Sequence, residues 1–351
     1  MPSDTSSPQA VPLRPLVITM GDPAGIGPEI VVKALAQRSR LRGRVLVAGD
    51  MASLQRALDL LGLPDERALT LVPVDGPEAA PQGPGLVRVV QACAPIAPVP
   101  FGQISGIAGR AAADCIATAA RWTLQGRTAA MVTAPIHKEA FAAAGLAHPG
   151  HTEFLQALAA EHAGVGVDRM PVRMMLSAPG LSTVLVSIHV SLRQALEAVT
   201  TERVLETVRI TAAHFARCGM PRARIAVAGL NPHAGEGGLF GREELDVIAP
   251  AIGQAVDEGL NVSGPHAPDT VFMRARQGEF DGVVAMYHDQ GLIPVKLLGL
   301  EHGVNTTLGL PLIRTSPDHG TAFDLAGTGR ADPSSLLAAI DAALGMSATA
   351  A

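Results

Sequence analysis

Aromatic residues are scarce in this chain of 351 residues: they make up 3%, with one tryptophan, Trp122, and one tyrosine, Tyr287. Its interior therefore has to be built from Ala, Val, Leu and Ile, and the supply is ample, since 48% of residues are hydrophobic against 17% charged. Cysteines are equally few. Cys93, Cys115 and Cys218 are odd in number and far apart, so they match neither a disulfide framework nor a zinc-ribbon spacing and point to a reducing cytoplasm. No long run of Lys or Arg occurs, and the formal net charge is −5. That excludes the electrostatic footprint of a nucleic-acid or membrane-surface binder, although a small anionic substrate needs only a local cluster of cations. No apolar stretch approaches the ~20 residues of a membrane span. Met1 to Pro15 carries Ser, Pro and Asp without an apolar core, so residues 1–14 read as a flexible tail and not as a signal peptide. No internal repeat is visible.

What is present is the rhythm of an α/β fold. Short apolar runs alternate with longer Ala/Leu-rich helical patterns, which predicts a largely parallel sheet. Strands are expected at Leu16–Met20, Arg44–Ala48, Ala129–Thr133, Thr183–Ile188, Arg224–Ala228 and Gly282–Met286. Helices are expected over Pro28–Gln37, Ala108–Gln125, Thr152–His162, Leu192–Arg217, Arg242–Glu258 and Pro333–Leu344. Ser191 with Gln194 forms a capping box ahead of the fourth helix, Gly219 closes it, and Asp332-Pro333 opens the last. The Pro- and Gly-rich stretch Pro73–Gly106 lacks periodicity and reads as an exposed excursion between two halves.

Several strands run straight into loops with chemically capable side chains. Ala129–Thr133 leads to His137-Lys138, Thr183–Ile188 to His189, Arg224–Ala228 to Asn231-Pro232-His233, and Gly282–Met286 to Tyr287-His288-Asp289. In an open parallel sheet the carboxyl ends share one edge, where ligands bind, so these residues are expected to converge. Three imidazoles, His189, His233 and His288, would suit a divalent transition ion with positions left for substrate; each alone is more readily a helix cap or a loop hydrogen-bond partner. Lys138, His151-Thr152, Lys296, Asn305 and Arg314 form a second, anion-directed set. His151-Thr152 opens a helix whose free N–H groups favour an anion, and Lys296 and Arg314 sit in an otherwise apolar tract where unpaired charge is costly. Gly-rich Gly21–Pro28 follows the first strand and serves either as a tight packing turn or as a ligand contact, since it is neither GxGxxG nor a P-loop. Asp318-His319-Gly320-Thr321, with Asp324 and Gly327 beyond it, could wrap a nucleotide, but none of these glycine-rich loops is specific alone.

Taken together, these segments resemble the 4-hydroxythreonine-4-phosphate dehydrogenase family of pyridoxal phosphate biosynthesis. The resemblance rests on Gly21–Pro28, Ala134-Pro-Ile-His-Lys138, Gly150-His-Thr-Glu153, Gly229–Gly238, Pro268-Asp-Thr270, Ala285–Gly291, Gly303-Val-Asn305, and Leu308 through Arg314 to Thr321. It implies a two-lobed α/β/α fold like isocitrate and isopropylmalate dehydrogenases, with residues 15–136 plus 296–346 as a nucleotide-binding lobe and 137–295 as a metal-binding and dimerisation lobe. It implies a homodimer with the active site at the subunit interface, NAD or NADP, and one divalent ion (Zn, Mg or Co) per site on His189, His233 and His288, one of them supplied by the partner. Substrate contacts then fall on His151, Thr152, Lys296, Asn305 and Arg314, with Asp269 and Lys296 as the catalytic groups. The cofactor loop corresponds to Asp318, His319, Gly320, Thr321, Asp324 and Gly327. One departure concerns Ser187-Ile188-His189-Val190-Ser191, which has a serine where the family usually carries proline. The implied reaction is oxidation with decarboxylation of 4-phosphohydroxy-L-threonine to 3-amino-2-oxopropyl phosphate; paralogues acting on threonate or erythronate 4-phosphate, or on aromatic cis-diol carboxylates, share the same motifs. The residues by themselves also accommodate a three-histidine phosphoester hydrolase or a non-catalytic binder of small acids.

Overall fold

The computed structural model describes residues 14–79, 83 and 85–349, so the expected tail, Arg14 apart, lies outside the described residues. In chain order the elements are β1 (Leu16–Thr19), α1 (Gly27–Gln37), β2 (Val45–Gly49), α2 (Met51–Leu61), β3 (Thr70–Pro73), β4 (Leu86–Gln91), α3 (Gly106–Leu124) and β5 (Ala130–Thr133). Then follow α4 (Lys138–Ala143), α5 (His151–Ala163), β6 (Arg173–Ala178), β7 (Leu181–Leu185), α6 (Leu192–Ala198), α7 (Thr201–Arg217), β8 (Ile225–Ala228) and α8 (Ala249–Asp257). The chain ends with β9 (Val262–His266), α9 (Val271–Arg276), β10 (Gly282–Ala285), α10 (His288–Lys296), β11 (Val304–Leu308), β12 (Arg314–Pro317) and α11 (Ser334–Thr349).

All the described strands join one sheet of 12, in the order β3-β4-β2-β1-β5-β12-β11-β6-β7-β10-β8-β9. This is the expected α/β, largely parallel architecture. From β3 to β12 the neighbours are parallel, and they are parallel again from β7 to β9. Between these halves β12–β11, β11–β6 and β6–β7 are all antiparallel. An odd number of reversals points the two parallel halves in opposite directions. The expectation of one shared carboxyl edge is thereby corrected: β7, β10 and β8 end together, whereas β5 ends on the opposite edge. What unites them is the antiparallel centre, not an edge.

Continuous apolar runs explain the legible strands. β1, β2, β5, β8 and β10 are buried at every position, as strands covered on both faces must be. In the first half, Ile18, Val47, Ile30, Leu35, Leu336 and Ile340 share one core, while Met131, Ile116, Phe141 and Leu155 form another. The second half is filled by Val186, Val208, Val227 and Met286 and by Leu176, Leu185, Ala285 and Val295. The helix expected over Leu192–Arg217 is two helices. The capping box of Ser191 and Gln194 opens α6 as read, but the Thr200 side chain accepts from Arg203 N and starts α7 afresh, a local hydrogen bond outcompeting helix continuation. The supposed excursion Pro73–Gly106 contains β4, whose Val87, Val89 and Val90 are buried. No helix among the described residues is long and apolar enough to cross a membrane.

Candidate active site

The anion-directed set converges. Lys138, His151, Thr152, Asn305 and Arg314 line one cavity of 390 Å³, together with His189, Asp318, His319 and Gly320. Arg314, at the start of β12, is 3% exposed. Its Nε and Nη2 donate to Thr133 Oγ1 at 3.1 and 2.8 Å, and Nη1 donates to Thr307 Oγ1 at 3.1 Å. These partners are neutral hydroxyls on flanking strands. A buried guanidinium held only by neutral acceptors is desolvated without charge compensation; burial pulls its pKa down to about 10. Beside it, His151 Nε2 is buried with no hydrogen-bond partner among the described residues. Burial first, and the Arg314 charge second, push this imidazole well below its ordinary range, so it is neutral and can donate one N–H. His151 also opens α5, whose N-cap is Gly150 with no side-chain cap, which leaves first-turn N–H groups free for an acceptor. The cavity thus offers an oxyanion a buried positive charge and unsatisfied N–H donors.

Lys296 reaches this rim from the end of α10: its Nζ lies 2.9 Å from Asp318 Oδ2. Asp269 is exposed just ahead of α9.

Of the three histidines, the structure brings two together. His189 and His288 stand with ring centroids 5.6 Å apart. Burial, and then the Lys138 charge, lower the pKa of His189, favouring the neutral ring that ligates metals. Asp289 Oδ1 lies 2.7 Å from His288 Nδ1, a carboxylate contact that fixes a ring's tautomer and leaves Nε2 as the donor atom. His233 stands apart from the pair, with its Nδ1 3.2 Å from Glu236 Oε2 and its side chain 62% exposed. Among the described residues no three His, Cys, Asp or Glu side chains are grouped as a metal site. The pair fits a divalent ion but is one donor short of the usual three protein ligands.

The loop carrying His233 is strained. Every residue from His233 to Gly237 has positive φ, including His233 at 53°, Ala234 at 55° and Glu236 at 45°. Left-handed backbone costs roughly 1–2 kcal/mol per non-glycine residue and persists only where its surroundings impose it. Glu244, 2% exposed, is the brace: its carboxylate accepts from Leu230 N, Asn231 N and Asn231 Nδ2 at 2.7, 2.7 and 2.9 Å. Gln290 ties the sectors together, accepting from Met286 N and donating to Gly229 O, both at 2.7 Å.

The candidate cofactor loop borders the same cavity through Asp318, His319 and Gly320. A Cβ at Gly320 would meet nothing within 4 Å, so the backbone there is open to the cavity. Thr321 is buried, Gly327 half-buried and Asp324 exposed. The loop rests on the Gly21–Pro28 turn, where Ile26 N donates to Thr321 O. Sequence reading missed Thr133, Thr307, Glu244 and Gln290. Thr133 did stand at the end of an expected strand, and Gln290 within a quoted motif, but no local pattern shows which side chains complete a buried guanidinium or brace a strained loop.

Comparison with known proteins accords with this geometry. The chain matches the family described as "Pyridoxal phosphate biosynthetic protein PdxA" over residues 42–343. It is 49% identical over 329 residues to the 4-hydroxythreonine-4-phosphate dehydrogenase of Beijerinckia indica, covering 93% of this chain and 94% of the relative. It is 43% identical over 332 residues to the D-threonate 4-phosphate dehydrogenase of Salmonella typhimurium, covering 94% and 98%. The crystal structure of 4-hydroxythreonine-4-phosphate dehydrogenase from Klebsiella pneumoniae superposes with a TM-score of 0.85 at 41% identity, covering 95% of this chain and 99% of that one. The chain therefore belongs to the pyridoxal phosphate biosynthetic protein PdxA family.

Proposed function

We propose that this protein is a nicotinamide- and metal-dependent dehydrogenase that oxidises and decarboxylates 4-phosphohydroxy-L-threonine, giving 3-amino-2-oxopropyl phosphate for pyridoxal phosphate biosynthesis. The observation that carries this reading is the buried, carboxylate-free Arg314 beside the unpartnered His151 Nε2. A phosphate supplies the acceptor oxygen that His151 Nε2 lacks and the counter-charge that Arg314 lacks, and the fork of an arginine matches its geometry. Thr152 and the open start of α5 add N–H and O–H donors, and Asn305 lines the wall. Together these groups fix one end of the substrate, leaving its hydroxyl and carboxylate toward His189.

His189 and His288 are the ligands that one chain offers a divalent ion, and His233 of a second copy is the proposed third. Supporting this, large apolar side chains are exposed around all three: Val190 and Leu192 after His189, Leu239 and Phe240 after the His233 loop, and Ile293 on, with Leu297 just after, the helix His288 begins. Leu239 is 73% and Leu297 81% exposed, the profile of a surface that another subunit covers. The outward-held, strained His233 loop is then a reach across that interface. Bound there, the ion would supply Lewis acidity to the substrate oxygens, and NAD or NADP on Asp318–Gly327 would accept hydride. Asp269 is the proposed proton acceptor for the alcohol, directly or through a water, and Lys296, set by Asp318, the balancing cation at the reacting end. Residues 15–136 plus 296–346 would act as the nucleotide lobe and 137–295 as the metal and dimer lobe. The free cysteines suit a reducing cytoplasm.

A second reading, oxidation of D-threonate 4-phosphate, is favoured by the Salmonella relative, which covers 94% of this chain. The two substrates present the same phosphate and differ at the amino-bearing carbon. The test is nicotinamide reduction with purified protein and a divalent ion, offering each phosphorylated acid and its unphosphorylated counterpart in turn. Reduction with 4-phosphohydroxythreonine, absent without phosphate, is expected. Preference for D-threonate 4-phosphate would select the second reading, and phosphate release without nicotinamide reduction would overturn both.

A further inference from the structure

Glu29 is a buried carboxylate with no ion-pair partner among the described residues. It lies in the first turn of α1 and is 1% exposed. Burying a charged group is expensive unless hydrogen bonds replace its water. Here both replacements come from the backbone of one loop: Oε1 accepts from Gly327 N at 2.5 Å and Oε2 from Gly329 N at 3.1 Å. One helical turn later, Lys33 Nζ donates to Gly329 O and Ala331 O, each at 2.6 Å. Residues four apart share a helix face. A single face of α1 therefore holds N–H groups with an anion and carbonyls with a cation along 327–331.

The turn ahead of α1 grips the other end of that loop. Ile26 N donates to Thr321 O at 3.0 Å, and a Cβ at Gly25 would lie 2.9 Å from Thr321 Cβ. Gly102 N donates to Ala24 O at 2.8 Å, and a Cβ at Gly102 would lie 2.7 Å from Phe323 O. Phe323 in turn stacks on His137 with centroids 4.6 Å apart. Asp22 is buried and shapes the turn itself, its Oδ1 accepting from Ala24 N at 2.8 Å. Between the two open readings of the Gly21–Pro28 motif, these contacts favour packing, but packing against one target.

We propose that Glu29 and Lys33 are positioning residues for the nicotinamide cofactor. They clasp the inner rim of the 318–331 loop by its backbone, so that its outer rim, His319, Gly320 and Asp324, is presented to the ligand in one conformation. Neither touches the cofactor; they act by removing freedom that binding would otherwise have to remove. This rests on assigning the cofactor to Asp318–Gly327.

The full-length enzyme tests it with NAD titrated by calorimetry, steady-state kinetics, and deuterium exchange of the loop amides. Glu29→Gln exchanges one acceptor oxygen for a donor, and should raise both Kd and KM for NAD about tenfold, the effect of one charge-assisted hydrogen bond. The kcat and the KM for the phosphorylated acid should stay within about twofold, because the chemistry is untouched. Exchange at Gly327 and Gly329 should quicken. Asp324→Ala, on the outer rim, should weaken NAD without changing that exchange. Should Glu29→Gln fail to fold, Lys33→Met removes the two donor bonds from the same face and is expected to behave alike. Unaltered NAD affinity in the Glu29 and Lys33 variants, with Asp324→Ala weakened, would overturn the clasp and leave the loop assignment standing. Unaltered affinity in Asp324→Ala would remove the loop assignment, and the clasp with it.

Discussion

At Arg314, function and stability are opposed. The guanidinium is buried among Thr133 and Thr307 hydroxyls with no carboxylate paired to it among the described residues, so it carries an uncompensated charge that the proposed phosphate would relieve. Replacing such a group by an apolar one of similar size is often neutral or stabilising, whereas the ligand loses charge-assisted bonds of about 1.5–3 kcal/mol each. Arg314→Met is therefore expected to lower kcat/KM for the phosphorylated acid about 100-fold, while the thermal midpoint of the unliganded protein holds or rises. A midpoint lowered by more than about 5 °C would make Arg314 a structural residue instead. Burial depresses the pKa of His214 as it does that of Arg314, but this imidazole is buried in its neutral form and lines no part of the candidate cavity. Buried on α7, it has its pKa lowered to about 4 by burial and then by the Arg217 charge. The unfolded chain binds that proton near the ordinary value of about 6.5, so between these values the unfolded state holds more protons and stability falls as pH falls. The loss between pH 7.5 and pH 5 is about 2 kcal/mol. Denaturant unfolding at both pH values should show it, and His214→Gln should remove that share of the acid dependence.

Among elements, the His233 loop concentrates the strain. Gly235 sits at φ 80°, where an added Cβ would lie 2.7 Å from Glu244 Oε2. Gly235→Ala therefore clashes with the brace and adds another non-glycine residue to a left-handed run. The fold should survive with a loss of about 2 kcal/mol, while metal stoichiometry per dimer, read by atomic emission, should fall well below wild type. Full metal loading would show that the loop's shape is incidental to the ion. Elements also mark how far the sequence could be read. β1, β2, β5, β8 and β10 were legible because strands buried on both faces are largely apolar; the expected Thr183–Ile188 overlaps β7 only over the last three residues of that strand. β4 was hidden by the Pro- and Gly-rich segments around it. β11 and β12 were hidden because they carry Asn305, Arg314 and Ser316, polar side chains that a strand tolerates only where a cavity opens against the sheet. The site thus disguised the elements that build it.

For the whole molecule, chemistry was more legible than geometry. Nine expected residues, from Lys138 to Gly320, line one cavity, although β5 ends on the edge opposite to that shared by β7, β10 and β8. Residue types announce what they can bind; which edge a strand's end occupies depends on three antiparallel pairings that local pattern does not display. The same limit separates His233 from its expected partners within one chain. Exposed Leu192, Leu239 and Leu297 suggest where the rest of the site comes from. Leu297→Glu places a charge on that apolar face, and should shift the protein toward monomer in size-exclusion chromatography with light scattering, with metal and turnover lost in parallel. A fully active monomer would refute the shared site.

The most direct test combines two inactive subunits. His189→Ala and His233→Ala chains, each carrying a different tag, are co-expressed, and mixed dimers isolated by both tags are assayed for metal-dependent nicotinamide reduction with 4-phosphohydroxythreonine. Each homodimer should be inactive. A mixed dimer holds one complete site, with His189 and His288 from one copy and His233 from the other, and should recover about half the wild-type rate. A mixed dimer as inactive as its parents, or a His233→Ala homodimer with full activity, would contradict an active site closed by a second copy of the chain.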